Sequence, residues 1–252
     1  MKRNSIVEAV ILKNYRIGEI HKGVILLTRS SGLIHAIAHG AYKGRSKLVG
    51  STDPYNLITA YLYYEPVKKT YKISDADCKN FFKGIKNHLK KFYAASLCAE
   101  VIIKSFGGGE EIPGTAFALL VSCFGLLEKG DTASIAYILI QFIWRYVQLM
   151  GFQPELNCCA ACGKIIGEKE DVFFSWEDMA FMCSGCAGSS EEKLSRGAYS
   201  YLLYTTKLSF ERAVTVKLEE ESSASLKKMM YRIMEEILES PLNTLSSSTG
   251  LL

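Results

Sequence analysis

The chain has 252 residues, enough for one large domain or two modest ones, and is 48% hydrophobic and 22% charged, as in an ordinary soluble globular protein. Its net charge of +4 is unevenly spread: residues 1–80 hold 13 Lys/Arg against 6 Asp/Glu, whereas residues 158–252 hold 10 against 14. A basic first third points to a polyanion-binding module joined to something else, and no window is apolar enough to span a membrane.

Residues 1–16 begin basic, but their apolar stretch is short and runs into Lys13 and Arg16 without a small-residue cleavage site, so no targeting segment is expected. From there to residue 75 the chain reads as strands. IVEAVIL (6–12), VILLT (24–28), LIHAIAH (33–39), YNLITAYLYY (55–64) and KTYKIS (69–74) are rich in Val, Ile, Tyr and Thr. Turn residues separate them, among them Asn14, Gly18, Gly32, Gly50 and Pro66. Five short strands in this length match a five-stranded OB-fold barrel, with a sandwich fragment or an SH3-like barrel as alternatives.

After Cys78 the period changes to that of a helix. Ile85, Leu89, Phe92, Ala95, Ala99, Ile102 and Phe106 mark one apolar face, which Gly107–Gly109 should end. Pro113 should open the next helix, through about Lys129. The apolar stretch 134–151 is interrupted by Gln141, Arg145 and Gln148, and its apolar positions Ile135, Ile138, Leu139, Phe142, Ile143, Tyr146 and Leu149 recur at helical spacing, so it reads as a buried core helix. These three helices are expected to form a bundle core. Further helices are expected near 195–208 and 222–239, and the terminal SSSTGLL has no periodicity and is expected to be loose.

Between the helical stretches stand Cys159-x-x-Cys162 and Cys183-x-x-Cys186. In a cytosolic chain thiols stay reduced, and paired spacing of this kind indicates a metal, with four thiolates matching the tetrahedral preference of zinc. Gly163 follows the first pair, where a knuckle turn needs positive φ, and residues 171–182 can form a hairpin that brings the pairs together. Cys158 beside Cys159 leaves a swap of ligands open. Four cysteines close the coordination shell, so the zinc is expected to be structural, and no deaminase-type His or Cys next to a glutamate accompanies it.

No catalytic constellation is found elsewhere. GAYKGRSK (40–47) lacks phosphate-loop spacing. His21, His35, His39 and His88 have no partner of metal or nucleophile spacing, and Cys78, Cys98 and Cys123 read as core thiols. What remains is the basic region. Arg3, Lys13, Arg16, Lys22, Arg29, Lys43, Arg45 and Lys47 lie around expected strand ends, interleaved with Tyr15 and Tyr42. Cations that neutralise phosphates, beside rings that stack on bases, are how OB-folds hold single strands. A second run, Lys83, Lys86, Lys90 and Lys91, reads first as a solvated helix face.

The string AVILKNYRIGEIHKGVILLTRSSGLIHAIAHGAYKGRSKLVG, followed by DPYNLI, resembles the start of the bacterial DNA-repair protein family RecO. MGFQPELNCCAACG and FSWEDMAFMCSGC are similar to that family's zinc-site segments, so the resemblance runs along nearly the whole chain. It implies an α+β protein: an N-terminal five-stranded OB-fold barrel (1–78) followed by an all-helical domain (79–252), with a four-Cys zinc element at about 157–188. It implies a non-enzymatic mediator of DNA repair and homologous recombination that binds single- and double-stranded DNA and anneals complementary strands. Its implied partners are RecR, the single-strand-binding protein whose acidic tail some members bind, and RecA indirectly, in the cytoplasm at the nucleoid. Arg16, Lys22, Arg29, Lys43, Arg45 and Lys47 would be the DNA contacts, and Cys159, Cys162, Cys183 and Cys186 the zinc ligands. Ile20-His21-Lys22 departs from the family's run at that turn. His39 stands where the family usually has Lys, which would weaken a phosphate contact there above neutral pH. Competing readings from the residues alone are an RNA-binding or ribosome-associated zinc-ribbon protein and a protein-interaction scaffold.

Overall fold

The computed structural model describes residues 3–43, 46–105, 113–167 and 170–252, so the expected helix stop at Gly107–Gly109 and the candidate contact Arg45 lie outside the described residues. By packing, the chain divides into two compact units, Met1–Thr132 with Leu242–Leu252, and Ala133–Pro241.

The first unit is built on a closed barrel of β1 (Asn4–Ile17), β2 (His21–Thr28), β3 (Gly32–Ala38), β4 (Leu57–Glu65) and β5 (Thr70–Asn80), in the order β1-β2-β3-β5-β4. All pairs are antiparallel except β3 with β5, and a short helix α1 (Leu48–Ser51) stands between β3 and β4. This is the OB-fold order, and it excludes the sandwich alternative. Alternating side chains fill the interior: Ala9 and Ile11 of β1, Val24 and Leu26 of β2, Ala36 and Ala38 of β3, Ile58, Ala60 and Leu62 of β4, and Ile73 of β5.

β1 runs through Lys13 and Asn14, where a turn is expected from composition. A β-bulge between Ile11 and Lys13 makes this possible. Ile11 pairs with the core residue Leu26, but Lys13 pairs with Ile25, so the strand changes its facing parity around Leu12. Asn14 is thereby paired with the interior Val24, and Tyr15 with Gly23 on the outer face.

The expected first long helix is two. α2 (Lys83–Lys86) and α3 (Leu89–Ser105) are separated at Asn87–His88. The bend changes which residues are inside. Ala95, Ala99 and Ile102 are buried as their spacing predicts, but Leu89 and Phe92 are exposed. α4 (Pro113–Lys129) has the expected bounds and packs on α3, where Cys98 and Cys123 meet with their sulfurs 3.6 Å apart. Burial first, then the neighbouring thiol, raises Cys98 well above the usual thiol value, which fits a core role.

In the second unit α5 (Ser134–Leu149) packs on α8 (Glu220–Leu238) and α7 (Phe210–Ala213), while α6 (Arg196–Thr205) packs on α8. Packing thus groups α5 with the later helices, and α3 and α4 with the barrel. A three-stranded sheet of β6 (Val172–Ser175), β7 (Ala180–Cys183) and β8 (Glu192–Leu194), in the order β7-β6-β8, completes the unit. Its hairpin is the one expected from the sequence, whereas β8 is too short to leave a pattern.

The C-terminal tail is not loose. α9 (Asn243–Ser247) belongs to the first unit, and the Glu100 carboxylate of α3 accepts from the amides of Asn243 and Thr244, both at 2.8 Å. That carboxylate satisfies two of the free N–H groups of the helix start, and Ser248 after the helix is buried. An anchor 143 residues away in sequence leaves no local signal.

Candidate metal centre and nucleic-acid interface

Each cysteine pair sits on its own tight turn. In the first, the Gly163 amide donates to the Cys159 carbonyl at 2.9 Å, with Gly163 at φ +70°, the conformation its position predicts. In the second, the amides of Cys186 and Ala187 both donate to the Cys183 carbonyl at 3.0 Å. The Ala160 amide donates to Phe181 at 3.0 Å, which ties the first turn to β7 and so to the second. The Sγ atoms of Cys159, Cys162, Cys183 and Cys186 all lie within 4.8 Å of one another. Cys159, not Cys158, joins the cluster; Cys158 forms a β-bridge with Ile165.

This donor set fits a tetrahedral metal ion. Sulfurs placed about 2.3 Å from a central ion stand roughly 3.8 Å apart at tetrahedral corners. The Cys162 and Cys183 sulfurs are 3.8 Å apart. Burial disfavours the Cys159 thiolate, but backbone groups of Cys183, Cys162 and Ala161 prevail and bring its pKa to about 6. Side-chain hydrogen bonds with Cys162, Cys183 and Cys159 push Cys186 up to about 12. The thiols compete for protons that a central cation would displace.

Around the cluster, Phe174 packs on Trp176 and Phe181, and Phe181 on Tyr199 of α6. Arg232 of α8 lies 3.8 Å over the Trp176 ring, whose indole N–H donates to Glu192 at 3.0 Å. The Tyr199 hydroxyl donates to the Leu156 carbonyl just before the first pair. The lobe is thus held by rings and one stacked guanidinium as well as by its sulfurs.

The barrel separates cations that are neighbours in sequence. Arg16, Lys43 and Lys47 are exposed around the β1–β2 turn and the segment leading into α1. Arg16 spans its own turn, donating to the carbonyls of Gly18 at 3.1 Å and Glu19 at 3.0 Å, with its guanidinium carbon 5.5 Å from the Tyr42 ring. Lys43 and Lys47 have no ion-pair partner among the described residues.

Lys22 is not available to a phosphate. Its side chain is 4% exposed, and its ammonium donates to Asp53 and to the Val49 carbonyl, both at 2.8 Å. Asn14 reaches the Thr52 carbonyl at 3.1 Å, and Asn56 donates to the carbonyls of Gly50 and Ser51. Together these side chains fasten α1, on which the segment bearing Lys43 and Lys47 ends. Asn14, Asp53 and Asn56 are positioning residues that the sequence reading missed, because their partners lie up to 38 residues away.

Arg29 lies on the β2–β3 hairpin, at the barrel end opposite the β1–β2 turn. It pairs with Glu8 at 2.7 Å and sits 4.8 Å over the Phe117 ring of α4. Lys79 holds the other Glu8 oxygen at 2.9 Å. The hydrogen bond from Lys79 leads the lowering of the Glu8 pKa, partly opposed by burial and supported by Arg29.

The second basic run also divides. Lys86 donates to Asn56, and Lys91 to the Glu128 carbonyl at 3.1 Å, so both serve packing, while Lys83 stays exposed. His21 and His39 meet edge to face at 4.7 Å, and the Gly40 amide donates to His21 Nδ1 at 3.0 Å. Burial first, then His21, Lys72 and Lys68, lowers the His39 pKa, so this ring is uncharged at neutral pH where a Lys would be cationic.

Comparison with known proteins divides the chain just after the barrel, earlier than the division by packing. The family model described as Recombination protein O N terminal matches residues 1–82, and Recombination protein O C terminal matches residues 86–246. Among curated relatives, the DNA repair protein RecO of Caldanaerobacter subterraneus subsp. tengcongensis is 28% identical over 208 residues, 81% of each chain. That of a Thermoanaerobacter species is 27% identical over 237 residues, 92% of each chain. That of Desulforamulus reducens is 26% identical over 240 residues, 94% of this chain and 91% of the relative.

Proposed function

The chain belongs to the recombination protein O family, and from that premise we propose that it is a non-enzymatic mediator of DNA repair and homologous recombination. It binds single- and double-stranded DNA, anneals complementary strands, and with RecR assists loading of RecA onto DNA coated by single-strand-binding protein. It works in the cytoplasm at the nucleoid. Residues 1–78 form the nucleic-acid module, and residues 79–252 the helical domain with the cysteine lobe at about 157–188. The observation that supports this reading best is the group of exposed cations, Arg16, Lys43 and Lys47, around one end of an OB-fold barrel. No helix among the described residues is long and apolar enough to cross a membrane.

The phosphate contacts are Arg16, Lys43, Lys47 and, from the sequence, Arg45. Lys22 and Arg29, the other contacts that the family resemblance implies, act instead by shaping the barrel loops. The ion held by Cys159, Cys162, Cys183 and Cys186 is Zn2+, because four thiolates at this spacing suit a soft tetrahedral ion. It supplies cross-linking and no chemistry, since four cysteines leave no position for water or substrate.

Strand annealing, with and without coat protein, tests the function directly. The contacts are tested by salt. If four phosphates of a single strand are neutralised, log K falls with log salt at a slope of roughly −2.8. Reversing Lys43, Arg45 and Lys47 to Glu should bring the slope near −0.7 and weaken binding roughly a hundredfold at about 0.1 M salt. Unchanged affinity in that variant, or salt-independent binding by the native protein, refutes the assignment, and preference for RNA over DNA of equal sequence refutes the DNA reading.

A further inference from the structure

Tyr15 is the exposed aromatic whose seat is built into the barrel. It pairs directly with Gly23 of β2 on the outer face, because the bulge around Leu12 has turned Lys13 and Tyr15 outward. A Cβ added at Gly23 would lie 2.2 Å from Tyr15 Cζ and 2.4 and 2.7 Å from its two Cε atoms, so the ring rests on the glycine itself. Gly23 is buried beneath it, yet Tyr15 keeps 45% of its surface open. No hydrogen-bond partner holds its hydroxyl among the described residues. An aromatic ring laid on backbone with its other side to water is the form of a stacking platform.

The surroundings suit a nucleic-acid strand. Lys13, two residues back and on the same face, is exposed and unpaired among the described residues. Across the ladder Gly23 pairs with Ile37 and Ile37 with Lys72, but Lys72 is held by Glu65 at 2.9 Å, which leaves Lys13 as the unpaired cation of this face among the described residues. Tyr42, by contrast, is 42% exposed but has both Arg16 and Lys22 against its ring, at 5.5 and 5.3 Å. Its π-system is already engaged by cations.

We infer that Tyr15, seated on Gly23 and flanked by Lys13, is a base-stacking platform that binds an unpaired nucleotide of single-stranded DNA. This rests on the DNA-binding reading above and adds to it a division of labour. The loop cations take phosphates of either form of DNA, while Tyr15 takes a base, which a duplex keeps in its own stack.

The test compares an oligothymidylate with a duplex of equal length. Tyr15→Ala should weaken single-strand binding roughly tenfold, with a much smaller loss on duplex, and Tyr15→Phe should recover most of it. Gly23→Ser, whose Cβ would displace the ring, should lose single-strand affinity to a similar degree. Tyr15→Trp should report contact by fluorescence quenching on the oligothymidylate. If Tyr15→Ala leaves single-strand affinity intact while charge reversal at Lys43 and Lys47 still lowers it, the platform is wrong and the DNA reading stands. Equal losses on both DNA forms, or no recovery with Tyr15→Phe, also overturn the platform. Failure of the native protein to bind either DNA overturns both.

Discussion

The barrel and the cysteine lobe are held together by different means, and this decides which of their residues are free to act. The barrel has a closed sheet whose shortest strand has 7 residues and an interior filled from all five strands, so packing alone keeps it folded. Its surface cations can therefore be spent on a ligand or on fastening loops. The lobe has strands of only 4, 4 and 3 residues and a small apolar cluster of Val172, Phe174, Phe181, Met182 and Leu194. There, four cysteines and a few rings must do the holding. On the proposed reading, the residues that look most like chemistry, in the lobe, hold structure, and residues that look like ordinary surface, in the barrel, are the candidates for function.

The largest expected effect strikes the lobe. Replacing Cys162 and Cys183 with Ser should release the metal and unfold residues 158–194, because structural zinc contributes on the order of 10 kcal/mol of apparent binding free energy. Metal content, Trp176 fluorescence and amide exchange would read this out, with barrel amides left protected. Full metal content with native exchange in that variant would break the comparison.

A smaller effect is expected where a barrel cation serves structure. Lys22→Met should cost about 2 kcal/mol, since it removes hydrogen bonds made by a buried charge, and should raise amide exchange in residues 48–52. The salt slope of DNA binding should keep its native value. A slope reduced by roughly 0.7 with unchanged stability would instead make Lys22 a phosphate contact.

The smallest effect concerns Glu8. Its pKa is held below the ordinary 4.5, chiefly by the hydrogen bond from Lys79, so its contribution is present above that value and lost as pH falls through the lowered one. Glu8→Gln should cost at most about 1 kcal/mol at pH 7, because Arg29 and Lys79 are half exposed, and the difference should vanish in acid. Urea midpoints of both proteins across that range would show it, and a difference persisting in acid would point to packing.

Much of the architecture was legible because it is written locally. Alternation marks LIHAIAH as a strand, Pro113 opens α4 where a fixed φ suits a first helical turn, and the cysteine spacing places the two turns that gather the sulfurs. The break between α2 and α3 was not legible, since Leu89 and Phe92 continue the apolar period while facing solvent. Nor was the folding of the tail, which depends on Glu100.

By itself the sequence determined the barrel's strands, the four cysteines that come together and the basic character of the first third, since each depends on residue type and short spacing. Only the tertiary structure decided which cations remain free. Lys22 meets Asp53 from 31 residues away, Arg29 meets Glu8 from 21, and Lys91 meets Glu128 from 37. Partners so distant are brought together by strand register and helix packing, which no short window of sequence contains. The same register, shifted once at Leu12, turns Tyr15 onto Gly23 and out to solvent.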